Sequence, residues 1–236
     1  MQRVRYSAAT LEQKEKTGAR ADWLVHQAFP QLTGNQVEEA IETGLVRLVG
    51  PGSLKKGTRL TPEQTLDCEG LEARLVQLRL GNPGLKIAIV HEAPTFWLVD
   101  KPAGMPGHPL RLAETETVTH WAMAQDPDIA RFFPQAQPTL TPHRLDTGTS
   151  GLLVVCRTPA AYDDWREQFQ MKQVRKAYLA WCWGVAAEPE WVTENPIGKA
   201  KGVGGRMAVD GRDFREATTA VSVVKQLPDR FLAEVR

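Results

Sequence analysis

Cysteine is scarce in this chain. Cys68, Cys156 and Cys182 are the only three in 236 residues, far apart, odd in number and without metal-ligand spacing. That pattern argues against a disulfide framework and a zinc site, and a reducing, cytoplasmic setting is expected. Long apolar runs are also missing. The stretch Leu152–Cys156 is typical of the longest, against the ~20 residues that a membrane-spanning helix needs. The opening MQRVRYSAATLEQKEKTG is charged throughout and has no apolar stretch, so it does not read as a secretory signal. Charge of one sign is lacking too: 29 Lys and Arg against 28 Asp and Glu leave +1, and no overall field announces a polyanionic partner. What remains is ordinary globular composition, 42% hydrophobic and 24% charged. At roughly 150 residues per domain the length allows one or two domains with a proper core.

Local signals divide the chain. Residues 1–18 read as a charged lead-in. In 19–70, Ala21, Leu24, Val25, Ala28 and Phe29 fall at helical spacing and Pro30 ends the run. Thr33 with Gln36 three residues on forms a capping-box pattern for a second helix carrying Val37, Ala40 and Ile41, with Gly44 as its stop. Residues 45–49 read as a strand. A connection, 71–85, includes a strand-like Ala73 to Leu80 and the turn Gly81-Asn82-Pro83-Gly84. From 86 to 236 the chain is strand-rich, with helices expected near 117–124 and from Thr158-Pro159 to about Met171. Leu152–Cys156 is a continuous apolar strand. Lys176 to Trp183 alternates, with Tyr178, Ala180 and Cys182 on one side and Leu179, Trp181 and Trp183 on the other; the two tryptophans are expected in the core. Mixed helices and strands without a steady βαβ rhythm give an α+β class.

Chemistry concentrates in His143-Arg144-Leu145-Asp146-Thr147-Gly148-Thr149-Ser150-Gly151. An acid flanked by an arginine and a histidine, on a turn that feeds a buried strand, is an unusual use of polar residues. A carboxylate kept ionised by a nearby cation is a usable nucleophile or base. Equally, Asp146 can bond the N–H groups of its own turn. The spacing of a phosphate-binding P-loop is absent, and nothing orders Ser150, His143 and Asp146 into a relay. A hydrolase using Asp146 with His143 remains a weaker reading. The segment Lys199–Arg215 gathers Lys199, Lys201, Arg206, Arg212 and Arg215 against Asp210 and Asp213, which suits either a phosphate grip or a solvated hairpin.

The run His143 to Leu153 closely resembles the active-site signature of RluA-family pseudouridine synthases: histidine-arginine-leucine-aspartate, two variable residues, then threonine-serine-glycine-leucine. Val99-Asp100-Lys101-Pro102-Ala103-Gly104 is similar to that family's lysine-proline-alanine-glycine loop, and Arg175-Lys176-Ala177-Tyr178-Leu179-Ala180 to its second catalytic motif. Residues 19–70 resemble, more loosely, a small RNA-binding domain shared with a ribosomal small-subunit protein.

The resemblance implies an α+β fold with a pseudouridine-synthase-like mixed, largely antiparallel sheet and flanking helices over 86–236, plus the small N-terminal domain. It implies an enzyme that isomerises a uridine in ribosomal or transfer RNA, with no cofactor or metal. Asp146 matches the catalytic aspartate, Arg144 the arginine that fills the gap left by the flipped uridine, and Tyr178 the tyrosine that stacks on the target base. Lys101 and His108 are expected to shape their loop. The partner is structured RNA, no membrane is involved, and a monomer is expected. The family continues past a strand like Phe231–Val235 into a third motif whose arginine pairs with the aspartate; here the sequence stops at Arg236, so a truncated or naturally shortened member is expected. A catalytically silent RNA-binding paralogue is the alternative. Asn35, Glu38, Glu39 and Glu42 stand along the second helix where basic residues would face RNA, so this module is expected to bind weakly or to serve another role.

Overall fold

A computed structural model describes residues 5–7, 19–61, 64–132, 140–200, 207–209 and 211–236. Most of the charged lead-in, and Lys201, Arg206 and Asp210 of the basic segment, lie outside the described residues. Two compact units result, Met1–Gln170 and Met171–Arg236.

The first unit begins with β1 (Arg5–Ser7), β2 (Ala19–Arg20), α1 (Ala21–Ala28) and α2 (Gly34–Glu42). The capping box at α2 is complete: Thr33 Oγ1 accepts from Gln36 N at 3.4 Å, and Gln36 Oε1 accepts from Thr33 N at 2.9 Å. Gly44, at φ +72°, turns the chain after α2. Next come β3 (Arg47–Leu48), β4 (Arg59–Leu60), β5 (Thr65–Asp67) and α3 (Glu69–Gln77). β1-β5-β3 and β2-β4 form two small antiparallel sheets. The strand expected over Ala73 to Leu80 is instead the end of α3 and the turn after it. Leu71, Leu75 and Leu78 recur at helical spacing and bury one stripe in the N-terminal core with Leu24, Val37 and Leu66, which outweighs the weak alternation. Leu112, much later in the chain, belongs to that same core and is fully buried.

The unit continues with β6 (Ala88–Glu92), β7 (Phe96–Lys101), α4 (Val118–Gln125), α5 (Ile129–Phe132), β8 (Gly151–Cys156) and α6 (Pro159–Gln170). β6-β7-β8 is antiparallel, with Lys101 opposite Gly151. β8 ends its sheet, and its apolar run is covered on both faces only from Leu153 to Cys156, Leu152 being 55% exposed. Leu153 and Val155 join Trp97, Val99 and Trp121, whereas Val154 and Cys156 join Ala161 and Trp165 of α6. Thr158 caps α6 by accepting from Ala161 N at 3.3 Å.

The turn at 81–84 docks on α4. Asn82 N donates to His120 O at 2.9 Å, and a Cβ at Gly81 would overlap the backbone of Met123 and Ala124. Gly81→Ala is therefore expected to destabilise the protein by about 2–3 kcal/mol, read as a lower midpoint in thermal unfolding. An unchanged midpoint would mean that the turn does not sit against the helix.

The second unit holds β9 (Tyr178–Trp183), β10 (Glu190–Thr193), β11 (Ile197–Lys199), β12 (Met207–Val209), β13 (Arg212–Arg215), β14 (Thr219–Gln226) and β15 (Arg230–Val235). Its sheets run β10-β14-β15-β9 and β12-β11-β13. Every strand pair among the described residues is antiparallel, and the architecture is α+β. The tryptophans expected in the core are at the surface: Trp181 is 56% and Trp183 81% exposed. Alternation decides this, because Cys182 faces the Val221, Phe231 and Ala233 core and so turns its neighbours outward. Arg230 lies over the Trp181 ring, 5.3 Å from its centroid. Among the described residues no helix is long and apolar enough to cross a membrane.

Candidate active site

β7 and β8 place two irregular segments side by side. β7 ends at Lys101 and runs into the Pro102–Pro109 loop, while 142–150 leads into β8. Antiparallel pairing of Lys101 with Gly151 brings both loops to the same end of the sheet. Lys101 then joins them. Its side chain is fully buried, and its ammonium donates to Pro102 O at 3.0 Å, Met105 O at 2.8 Å and Thr147 O at 3.3 Å. Gly104, at φ +86°, lets the loop fold back so that its N–H reaches Thr147 O at 2.7 Å. Burial pushes the Lys101 ammonium below its ordinary range, and the negative charge of Asp146 opposes that shift. A cation enclosed next to a carboxylate-bearing turn is a fixed electrostatic element of the site.

A cavity of about 100 Å³ opens beside this clamp, and Arg144, Asp146, His108 and Leu110 are among its lining residues. Asp146 is exposed. Its backbone carbonyl, rather than its carboxylate, closes the local turn by accepting from Thr149 N at 2.9 Å. Among the described residues no hydrogen bond occupies the carboxylate itself. Arg144, also exposed, lines the same cavity. His108 sits close enough to feel it: burial first and the Arg144 guanidinium second hold the imidazole below its ordinary value of 6.5, against the pull of Glu114.

Two neighbours brace the site. α4 begins against it, with Val118 N donating to Pro106 O at 3.0 Å and Thr119 N to Gly107 O at 3.1 Å. His143 accepts from Val154 N at 3.0 Å and lies against Phe169, with ring centroids 4.5 Å apart. It ties its loop to β8 and α6.

The structure thus brings Arg144 and Asp146 to one cavity. Tyr178, in the second unit, opens β9 opposite Val235, on the strand face that also carries Ala180 and Cys182, and is 39% exposed. Sequence reasoning treated Lys101 as loop scaffolding and so missed that its ammonium reaches the aspartate turn. A lysine that ends a buried strand is the signal that was available. His108 as a cavity wall was missed as well, and no local pattern announced it.

A family model described as RNA pseudouridylate synthase matches residues 95–236, a span that contains every element of this site. The chain belongs to that family. An uncharacterized RNA pseudouridine synthase of Synechocystis is 28% identical over 81% of this chain and 58% of its own length. Ribosomal large subunit pseudouridine synthase D of Xanthomonas campestris is 29% identical over 83% of this chain and 57% of its own. The dual-specificity RNA pseudouridine synthase RluA of Escherichia coli is 31% identical over 47% of each chain. The chain therefore matches about half the length of these relatives, from 47% to 58%. Among solved structures, human RNA pseudouridylate synthase domain containing 1 shares the fold, at TM-score 0.52 and 21% identity over 65% of this chain and 61% of that one.

Proposed function

We infer that the protein is an RNA pseudouridine synthase of the RluA type acting on a specific uridine of ribosomal or transfer RNA, with Asp146 as its catalytic residue. One observation carries the reading: a carboxylate that no hydrogen bond occupies among the described residues shares a cavity with a guanidinium, on the loop whose sequence resembles the family signature.

A base inside a helix is out of reach, so the uridine is extruded first, at a cost of a few kcal/mol. Arg144 enters the gap, where a planar cation can stack on bases and bond phosphates. Asp146 bonds to C1′ as the N1–C1′ bond breaks, and the electron pair leaves with the base on N1. The base turns, its C5 bonds to C1′ and displaces the carboxylate, the hydrogen on C5 leaves as a proton, and N1 takes up a proton from solvent. The net change is an isomerisation, and the family resemblance calls for neither cofactor nor metal. Tyr178, at the head of its motif, stacks on the target base in this reading. Residues 19–70, with α3 packed on their core, form a small RNA-binding-like domain, the rest of 71–85 is a connection and 86–236 is the catalytic domain. A monomer in the cytoplasm completes the proposal, in keeping with the scarcity of cysteine.

The test is incubation of the chain with RNA tritiated at uridine C5. Release of tritium with no free uracil supports a synthase. Free uracil would instead indicate a hydrolase, and RNA binding with no release a silent paralogue.

A further inference from the structure

The acidic second helix has a structural use inside the first unit. Glu39 of α2 does not face outward for a partner: its Oε2 accepts from Leu112 N at 2.9 Å. One turn earlier on the same helix, Gln36 donates through Nε2 to Leu110 O at 3.5 Å. Between these polar contacts the Leu112 side chain is fully buried in the N-terminal core. Glu38, the neighbouring acid, pairs with Lys56 at 2.6 Å. The segment so held supplies part of one wall of the cavity, since His108 and Leu110 at its start line it together with Arg144 and Asp146. Glu114 gives that wall its own turn by accepting from Leu110 N at 2.6 Å and Arg111 N at 3.2 Å.

We propose that α2 is a positioning element for the reaction, in which Glu39, with Leu112 anchored in the N-terminal core, holds the 108–114 segment so that His108 and Leu110 stay in register with Asp146 across the catalytic cavity. The proposal rests on the synthase reading and gives the N-terminal module a task that needs no phosphate contact from this helix. An acidic helix face suits that task. A carboxylate accepting a backbone N–H makes a strong, directional bond, whereas the same charge turned towards RNA would repel it. Glu39 and Leu112 touch no reacting atom. They act through Leu110 and His108, whose position sets how tightly an extruded base is confined. Small displacements of such a wall carry large rate effects.

The experiment compares wild type with Glu39→Ala and Glu39→Gln, the latter keeping an oxygen acceptor for Leu112 N. Three quantities are measured: kcat on RNA, Kd for the same RNA, and deuterium uptake of the 108–114 amides. Glu39→Ala is expected to lower kcat about tenfold with Kd unchanged, and to speed exchange across 108–114 about tenfold. Glu39→Gln restores both. Unchanged exchange in Glu39→Ala overturns the proposal. So does a weakened Kd with unaltered kcat, which would make the helix an RNA contact, and so does a Gln variant as impaired as the Ala variant. Should wild type form no pseudouridine, the synthase reading fails and exchange alone decides: lost protection recovered by Gln upholds the clamp, and unaltered protection removes it.

Discussion

Asp146→Asn is expected to lower pseudouridine formation by at least about 10³-fold, the scale of losing a catalytic nucleophile, while the protein folds and binds RNA as before. Folding should be spared because the side chain is exposed and, among the described residues, no hydrogen bond occupies its carboxylate. An isosteric amide there changes stability by no more than about 0.5 kcal/mol. RNA affinity should stay level or rise slightly, because the substitution removes a negative charge from a cavity that meets a polyanion. That combination is diagnostic. Loss of turnover through misfolding would weaken binding and lower the unfolding midpoint, whereas loss through chemistry leaves both in place. A variant that still releases tritium from C5-labelled uridine at the wild-type rate would remove Asp146 from the mechanism.

Lys101→Met is expected to damage both stability and turnover. The thioether side chain nearly fills the volume but leaves the carbonyls of Pro102, Met105 and Thr147 without the ammonium that they share. Losing a buried charged donor of this kind costs about 3 kcal/mol, which at this chain length lowers the unfolding midpoint by about 6–12 °C. Turnover should drop about 10²-fold even well below that midpoint, because the clamp fixes the turn that carries Asp146 and an ångström of drift there is expensive. RNA affinity should change little, since the ammonium is enclosed. Measuring kcat at a temperature where the variant is fully folded separates the two effects. Wild-type stability together with wild-type turnover would show that the three carbonyls do not depend on Lys101.

The two substitutions probe different kinds of residue on neighbouring segments, the end of β7 and the loop before β8. Asp146 is presented to the cavity and bound by little, so its removal should cost chemistry alone. Lys101 is enclosed and bound to three acceptors, so its removal should cost the framework first and chemistry in consequence.

Much of the local structure could be read from the amino acids. Thr33 with Gln36 and Thr158 before α6 cap the helices they announce, since a cap acts over three residues and needs nothing distant. The apolar run of β8 is buried by two separate cores from Leu153 to Cys156, while Leu152 stays exposed. Arg144, Asp146 and Tyr178 stood out through motif alone. Where neighbours compete for one side chain, the reading failed. Residues 73–80 carried both a weak alternation and a helical stripe, and the N-terminal core selected the stripe. Trp181 and Trp183 were assigned inward on size and apolarity, yet one face of a strand can be buried only at the expense of the other.

Composition, caps, turn residues and the signature loop specify the kind of fold and the family, because each acts through bonds or contacts a few positions apart. The linkage of Lys101 to Thr147, the shared cavity of Asp146, Arg144 and His108, and the seating of Leu112 beneath Glu39 belong to another order of information. These contacts join residues separated by dozens of positions. Only the pairing of β7 with β8 and the closing of the N-terminal core bring them within reach of one another.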